Sequence, residues 1–132
     1  MLNDQAAQEV FDKVNGRIDF WLDATEMRKR WDVRVTQERG QTPSVPHSDG
    51  DSQRYADCAA DWYDPEAKIR VFVDVIEDAD DKTVDLVAIH ELSHILISPV
   101  AYDGNMGKDH YHRIEYATEL VSRAIRAAYE AG

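Results

Sequence analysis

Hydrophobic positions along the chain fall into blocks of helical and of alternating period. In residues 3–22, Ala7, Val10, Phe11, Val14, Ile18, Trp21 and Leu22 recur at the spacing that puts apolar groups on one face of an α-helix. Asn3 or Asp4 can cap its start, Gly16 interrupts it mildly, and the polar residues 23–30 can carry it on. Val33 and Val35 then alternate with charges, which predicts a short strand over 32–38. Residues 39–52, rich in Gly, Pro, Ser and Asp, read as a loop, and His47 within it reads as an exposed side chain with no role. Two extended runs follow, roughly 53–63 and 68–76, joined by Asp64-Pro65-Glu66-Ala67. In the second, Ile69, Val71, Val73 and Val75 alternate with Arg70, Phe72 and Asp74, so the pair is predicted to form a β-hairpin. Helical spacing returns with Val84, Val87, Ala88, Leu92, Ile95 and Leu96. Asp80, Asp81 and Thr83 are the cap candidates of this helix, and Pro99 is its expected stop. A loop over 98–109 with Gly104 and Gly107 leads to a last helix at about 110–130. The order is helix, three strands, helix, helix, without repeat or linker, which implies an α+β fold in a single domain over 1–132.

Composition narrows the function classes. The chain has 132 residues, enough for a real core. Its formal charge of −11 repels nucleic-acid phosphates, so no nucleic-acid partner is expected, whereas a basic peptide would be tolerated or attracted. Cys58 is the one cysteine, so no intrachain disulfide can form; a small buried strand residue is its expected role, with a metal-blocking thiol as the alternative. The start MLNDQAAQEV has neither the basic nor the apolar region of a signal peptide. No apolar run approaches the roughly 18 residues needed to cross a bilayer. A cytoplasmic location without membrane contact is the resulting expectation.

The chemistry is concentrated in His90-Glu91-Leu92-Ser93-His94, an HExxH motif. On a helix each residue advances about 100°, so His94 lies roughly 40° from His90 and Glu91 about 100° from it. Two imidazoles can then share one metal ion while the carboxylate faces a polarised water. The predicted capped, apolar helix supplies the required context. A buried helix otherwise has little reason to carry two His and a Glu on one arc. Catalytic zinc takes three protein ligands and keeps a fourth position open. A further His at the spacing of the longer three-His motif is absent, since position 97 is Ile and position 100 is Val. Asp103, Asp109, His110, His112, Glu115 and Glu119 are the downstream candidates for the third ligand.

HELSH followed after 21 residues by Glu115, with Glu119 one turn beyond, resembles the gluzincin zinc metallopeptidases, which use HExxH plus a Glu from the next helix. The chain's length and element order look most like the minimal members, the minigluzincins and related small peptidases encoded by phages and mobile elements, over roughly residues 53–130. The resemblance implies a zincin-like domain: an N-terminal helix, a small three-stranded, mainly antiparallel sheet, an active-site helix and a Glu-bearing C-terminal helix. It implies that His90, His94 and Glu115 bind Zn²⁺ and that Glu91 is the general base and then acid in peptide-bond hydrolysis, which would make the chain a zinc endopeptidase. Glu119, where the family commonly has Asp, would hydrogen-bond a ligand His, His90 being the expected partner. An edge strand within 53–76 would align an extended peptide or protein substrate by strand addition. Tyr102, His110, Tyr111 and His112 are near enough in sequence to serve as oxyanion or proton donors.

The last helix poses a difficulty for this picture. Its apolar stripe is Ile114, Ala117, Val121, Ala124, Ile125 and Ala128, whereas Glu115 and Glu119 lie on the other half beside Arg123, with which Glu119 can form a surface pair. The resemblance requires this helix to be sandwiched, with its Glu edge toward the HExxH helix. A second reading keeps the fold and the zinc but removes the catalysis, leaving an interaction or regulatory module. Glu91 argues against it, because a purely structural site has no need of that residue.

Overall fold

The computed structural model describes residues 1–40, 54–101 and 108–132. It is an α+β arrangement of four helices and a small mixed sheet. Helix α1 (Asp4–Ala24) opens with Asn3 as its cap, whose side-chain oxygen accepts from the Ala6 amide at 2.8 Å. The expected stripe is the buried one: Ala7, Val14, Ile18, Trp21 and Leu22 are all buried, and Val10 and Phe11 pack partly against the same core. The helix does not continue through residue 30. Glu26 takes a left-handed conformation at φ 60°, and Met27–Lys29 form a single 3-10 turn that buries Met27.

Three strands follow, β1 (Asp32–Glu38), β2 (Ala56–Asp61) and β3 (Glu66–Phe72), in spatial order β1-β3-β2. The β2–β3 hairpin is antiparallel as expected, but β1 runs parallel to β3, so the sheet is mixed rather than mainly antiparallel. The second run of the hairpin is also shorter than the alternation suggests. After Phe72 the chain turns into a short helix, α2 (Val73–Ile76), which buries Val73 and Ile76 one turn apart. Both departures meet at Asp74. Its carboxylate accepts from the Leu2 amide at 2.8 Å, the Gly40 amide at 2.7 Å and Arg39 Nε at 3.0 Å. Parallel pairing brings the end of β1 beside the end of β3, and Asp74 ties both to the N-terminus. Along the inner face of the sheet, Ala67, Ile69 and Val71 are buried, and Ala56, Cys58 and Ala60 sit opposite Val71, Ile69 and Ala67. On the outer face Arg70 grips the Asp57 carboxylate with two nitrogens.

Helix α3 (Asp81–Ala101) is packed on several sides, by α1, β2 and the last helix, α4 (Lys108–Ala131). Asp80 caps it, accepting from the Thr83 amide at 2.8 Å. Pro99 does not end it. Proline removes the amide that would bond the Ile95 carbonyl, and the Ser98 hydroxyl donates to that carbonyl instead at 2.7 Å. Asp85 on α3 accepts from Trp21 Nε1 at 2.7 Å and from Arg17 at 2.7 and 2.9 Å, while Arg126 of α4 lies at 3.5 Å. One carboxylate therefore joins three helices. Trp21, Phe20 and Tyr129 stack edge-on alongside. No helix of the described residues is long and apolar enough to cross a membrane.

Arg39 and the two amides hold the Asp74 carboxyl well below the usual carboxylate range, against the opposing effect of burial. A depressed folded-state value contributes stability above the unfolded value of about 4, and that stability is lost as pH falls from there toward the folded value. Asp74→Asn is expected to lower unfolding free energy at pH 7 by about 1–2 kcal/mol. The gap to the wild type should narrow steadily below about pH 4 in urea melts. A gap independent of pH would assign the loss to packing.

Candidate active site

The cleft is built from three elements: α3, α4 and the edge strand β2. α3 supplies His90, Glu91 and His94, with Val87 one turn earlier on the same side. α4 runs antiparallel to it, because His90 meets Glu119 while His94 meets Glu115. Small side chains on the inner face of β2, Ala56, Cys58 and Ala60, leave room between strand and helices, and the cleft has a volume of about 630 Å³.

At its centre, Glu115 stands between the two imidazoles. Its carboxylate oxygens lie 3.3 Å from His90 Nε2 and 3.2 Å from His94 Nε2. On the far side of the His90 ring, Nδ1 is 2.6 Å from Glu119 Oε1. Glu119 also lies 3.7 Å from Arg123, so the surface pair foreseen on the helix exists alongside the histidine contact. The His94 ring is backed differently: its Nδ1 lies 3.4 Å from the hydroxyl of Thr118. Glu91 is buried at 6% exposure, and its Oε2 has no hydrogen-bond partner among the described residues.

Electrostatics follow from this crowding. Burial disfavours the protonated form of His90, but the carboxylates of Glu115, Glu91 and Glu119 outweigh it and raise the imidazole to about 9. Burial also opposes the charge on Glu115, yet its bonds to His90 and His94 hold it well below the usual carboxylate range. Glu91 is pushed up by burial, a shift that the neighbouring His94 and His90 only partly offset. The Cys58 thiol is raised by burial and then by Glu91 and Asp57, so it stays a protonated wall residue of β2, half-buried rather than fully so.

The structure thus brings together His90, Glu91, His94, Glu115 and Glu119, five of the residues singled out in the sequence. Tyr111, one turn before Glu115, lines the same cleft, and burial raises its phenol, with Glu115 the next cause. His110 and His112 flank it on α4 but are not among the cleft-lining residues. Asp109 is exposed in the first turn of α4. Tyr102, Asp103 and His47 lie outside the described residues.

The difficulty with α4 resolves in an unexpected way. Its fully packed positions are the polar Thr118 and Ser122, with Ile114, Glu115, Val121 and Ile125 half-buried, while Ala124 and Ala128 are exposed. The apolar stripe was an incomplete guide: Ala117 is half-buried as well and Ile125 packs against the core, but the deepest positions are shifted toward the edge where α3 presents imidazoles, which require polar partners. Thr118 was missed for that reason. Its signal was the spacing 115, 118, 119, 122, which is one edge of a helix.

The donor set suits a metal ion. Two Nε2 atoms converge on one carboxylate, and the ligand atoms of His90, Glu91 and His94 all lie within 4.8 Å of one another. The unpartnered Glu91 oxygen is what a group meant to meet a further ligand or a water would leave in its absence. Comparison with family models, curated proteins and solved structures returned no significant match for this chain.

A buried carboxylate without a full set of partners weakens the fold that contains it. A raised folded-state value means that this penalty appears as pH climbs above the unfolded value of about 4 and is complete above the folded one. Metal-free Glu91→Gln is therefore expected to be more stable than metal-free wild type at pH 7, by on the order of 1–2 kcal/mol. Below about pH 4 the two should converge in chemical denaturation. A variant less stable at neutral pH would show that Glu91 is satisfied in the folded protein.

Proposed function

We propose that the cleft is the active site of a zinc-dependent endopeptidase on a zincin-like fold of the minimal gluzincin kind. The observation that carries this reading is the convergence of His90 Nε2 and His94 Nε2 on Glu115, beside a buried Glu91 with an unpartnered oxygen. His90, His94 and Glu115 would hold the metal. When bound, zinc supplies Lewis acidity, polarising a carbonyl oxygen and making water a better nucleophile.

The chain's own side chains do the rest. Glu91 sits one residue past His90, aimed into the cleft rather than outward. Its carboxylate takes a proton from the attacking water and delivers it to the departing amine nitrogen. Burial makes Glu91 a stronger base than an exposed carboxylate, which suits both transfers. Glu119 fixes the His90 ring by accepting at Nδ1, so that Nε2 faces the site. Tyr111 keeps its proton and can donate a hydrogen bond to charge developing on the substrate. Among the described residues β2 is an edge strand, and an edge strand can pair with an extended peptide, the substrate class this reading assigns.

Purified protein is expected to bind about one Zn²⁺ per chain, measured by elemental analysis. His90→Ala or His94→Ala should abolish tight binding, Glu115→Ala should weaken it severely, and Glu119→Ala should cost about 10–100-fold. Loss of metal in Glu119→Ala with retention in Glu115→Ala would move the third ligand by one turn. A wild type that takes up no zinc would remove the metal reading altogether.

For catalysis, Glu91→Gln should keep fold and zinc yet slow hydrolysis of an unbiased peptide pool, basic peptides included, by about 10²–10⁴-fold. A chelator should abolish wild-type cleavage, and added zinc should restore it. Cleavage undiminished in Glu91→Gln would refute the mechanism. A partner bound equally by both proteins and never cleaved would favour the non-catalytic module.

A further inference from the structure

We propose that Thr118 is the positioning residue for His94, performing with a hydroxyl what Glu119 performs for His90 with a carboxylate. The inference rests on the metal-site reading above. Thr118 is completely buried on α4, between Glu115 and Glu119 in sequence, and its Oγ1 lies 3.4 Å from His94 Nδ1. A hydroxyl has one hydrogen to donate and two lone pairs. The hydrogen is committed: Oγ1 donates to the Ile114 carbonyl at 2.7 Å, one helical turn back. Toward His94 only lone pairs remain, so the contact is satisfied when Nδ1 carries a hydrogen and donates it. Hydrogen on Nδ1 leaves Nε2 as the ligating nitrogen, on the edge of the ring that faces Glu115. Other buried hydroxyls near the site, Ser93 and Ser122, are also bonded to backbone carbonyls, at 2.8 and 2.9 Å, but Thr118 additionally meets a ring nitrogen.

Two adjacent residues of α4 therefore set both imidazoles from behind, and they do so unequally. His90 has an anionic acceptor at 2.6 Å, whereas His94 has a neutral one at 3.4 Å. A carboxylate partner makes an imidazole a better donor to a cation than a hydroxyl does. His94 is thus the weaker of the two nitrogen ligands, and Thr118 is what keeps it aligned.

The test uses full-length protein and zinc alone. Affinity is measured by competition with a chromophoric chelator for wild type, Thr118→Ser, Thr118→Val and Thr118→Ala. Thr118→Ser retains the acceptor and should stay within about threefold of wild type. Thr118→Val and Thr118→Ala remove it and should each lose about 10–100-fold. Thr118→Ala serves as the second variant in case the added methyl of valine disturbs folding, which thermal melts of the metal-free proteins report. The spectroscopic readout is the His94 ring proton in ¹⁵N-histidine-labelled, zinc-loaded protein. Wild type and Thr118→Ser should show a solvent-protected Nδ1–H on His94, distinguished from that of His90 by comparison with Glu119→Ala. The two variants without the hydroxyl should lose it while keeping that of His90. Wild-type affinity and a retained His94 proton in Thr118→Val or Thr118→Ala overturn the proposal and leave the metal site standing. Equal losses in Thr118→Ser and Thr118→Val also overturn it, because shape rather than the hydroxyl would then matter. Absence of zinc from the wild type overturns the metal reading and this role with it.

Discussion

Glu115 between two imidazoles is the constraint to which the rest of the structure is fitted. A helix as enclosed as α3 would ordinarily reject His90, Glu91 and His94, since polar groups removed from water need partners of comparable strength. α4 provides them with three residues on one edge: Glu115 to both Nε2 atoms, Glu119 to His90 Nδ1 and Thr118 to His94 Nδ1. Polar complementarity, together with apolar burial of residues such as Ile125, sets how these two helices face each other. Among the described residues Glu91 is the member with an oxygen left unpartnered, and it lines the cleft.

Around this pair the scaffold holds position through carboxylates that each join several elements. Asp85 links α1, α3 and α4 through Trp21, Arg17 and Arg126. Asp74 collects the N-terminus, the end of β1 and the start of α2. In a chain of 132 residues the apolar core is limited, and such multi-partner acceptors restrict how the layers can slide. The high acidity of the chain is therefore partly structural: several of its carboxylates are committed to internal partners instead of facing solvent.

Much of the fold was legible because local rules acted alone. The stripe of α1, its Asn3 cap, the span of β1 and the Asp80 cap of α3 all follow from spacing and capping chemistry that no distant residue contradicts. Local rules failed where a distant partner outvoted them. Val73 and Val75 continue a strand-like alternation, but Asp74 is drawn to Arg39, Gly40 and Leu2, and the backbone coils into α2. Pro99 reads as a helix stop, but the Ser98 hydroxyl replaces the hydrogen bond that proline cannot make. Strand direction was beyond local reading, since periodicity says which face is buried and nothing about which neighbour a strand chooses.

The same division applies to the site. His90, Glu91 and His94 were legible in the sequence, because residues at i, i+1 and i+4 of one helix fall within an arc of about 100° and have their mutual geometry set by the helix itself. Only tertiary structure could decide which edge of α4 meets that arc. The apolar stripe of α4 is half-buried at Ile114, Ala117, Val121 and Ile125, yet the fully packed positions are Thr118 and Ser122, with Glu115 half-buried and Glu119 exposed beside them, because the surface this helix docks against carries imidazoles. Amphipathic periodicity identifies an inward face when the partner surface is apolar; against a polar partner the hydrogen-bonding groups turn inward, and that partner is 21 residues away in sequence.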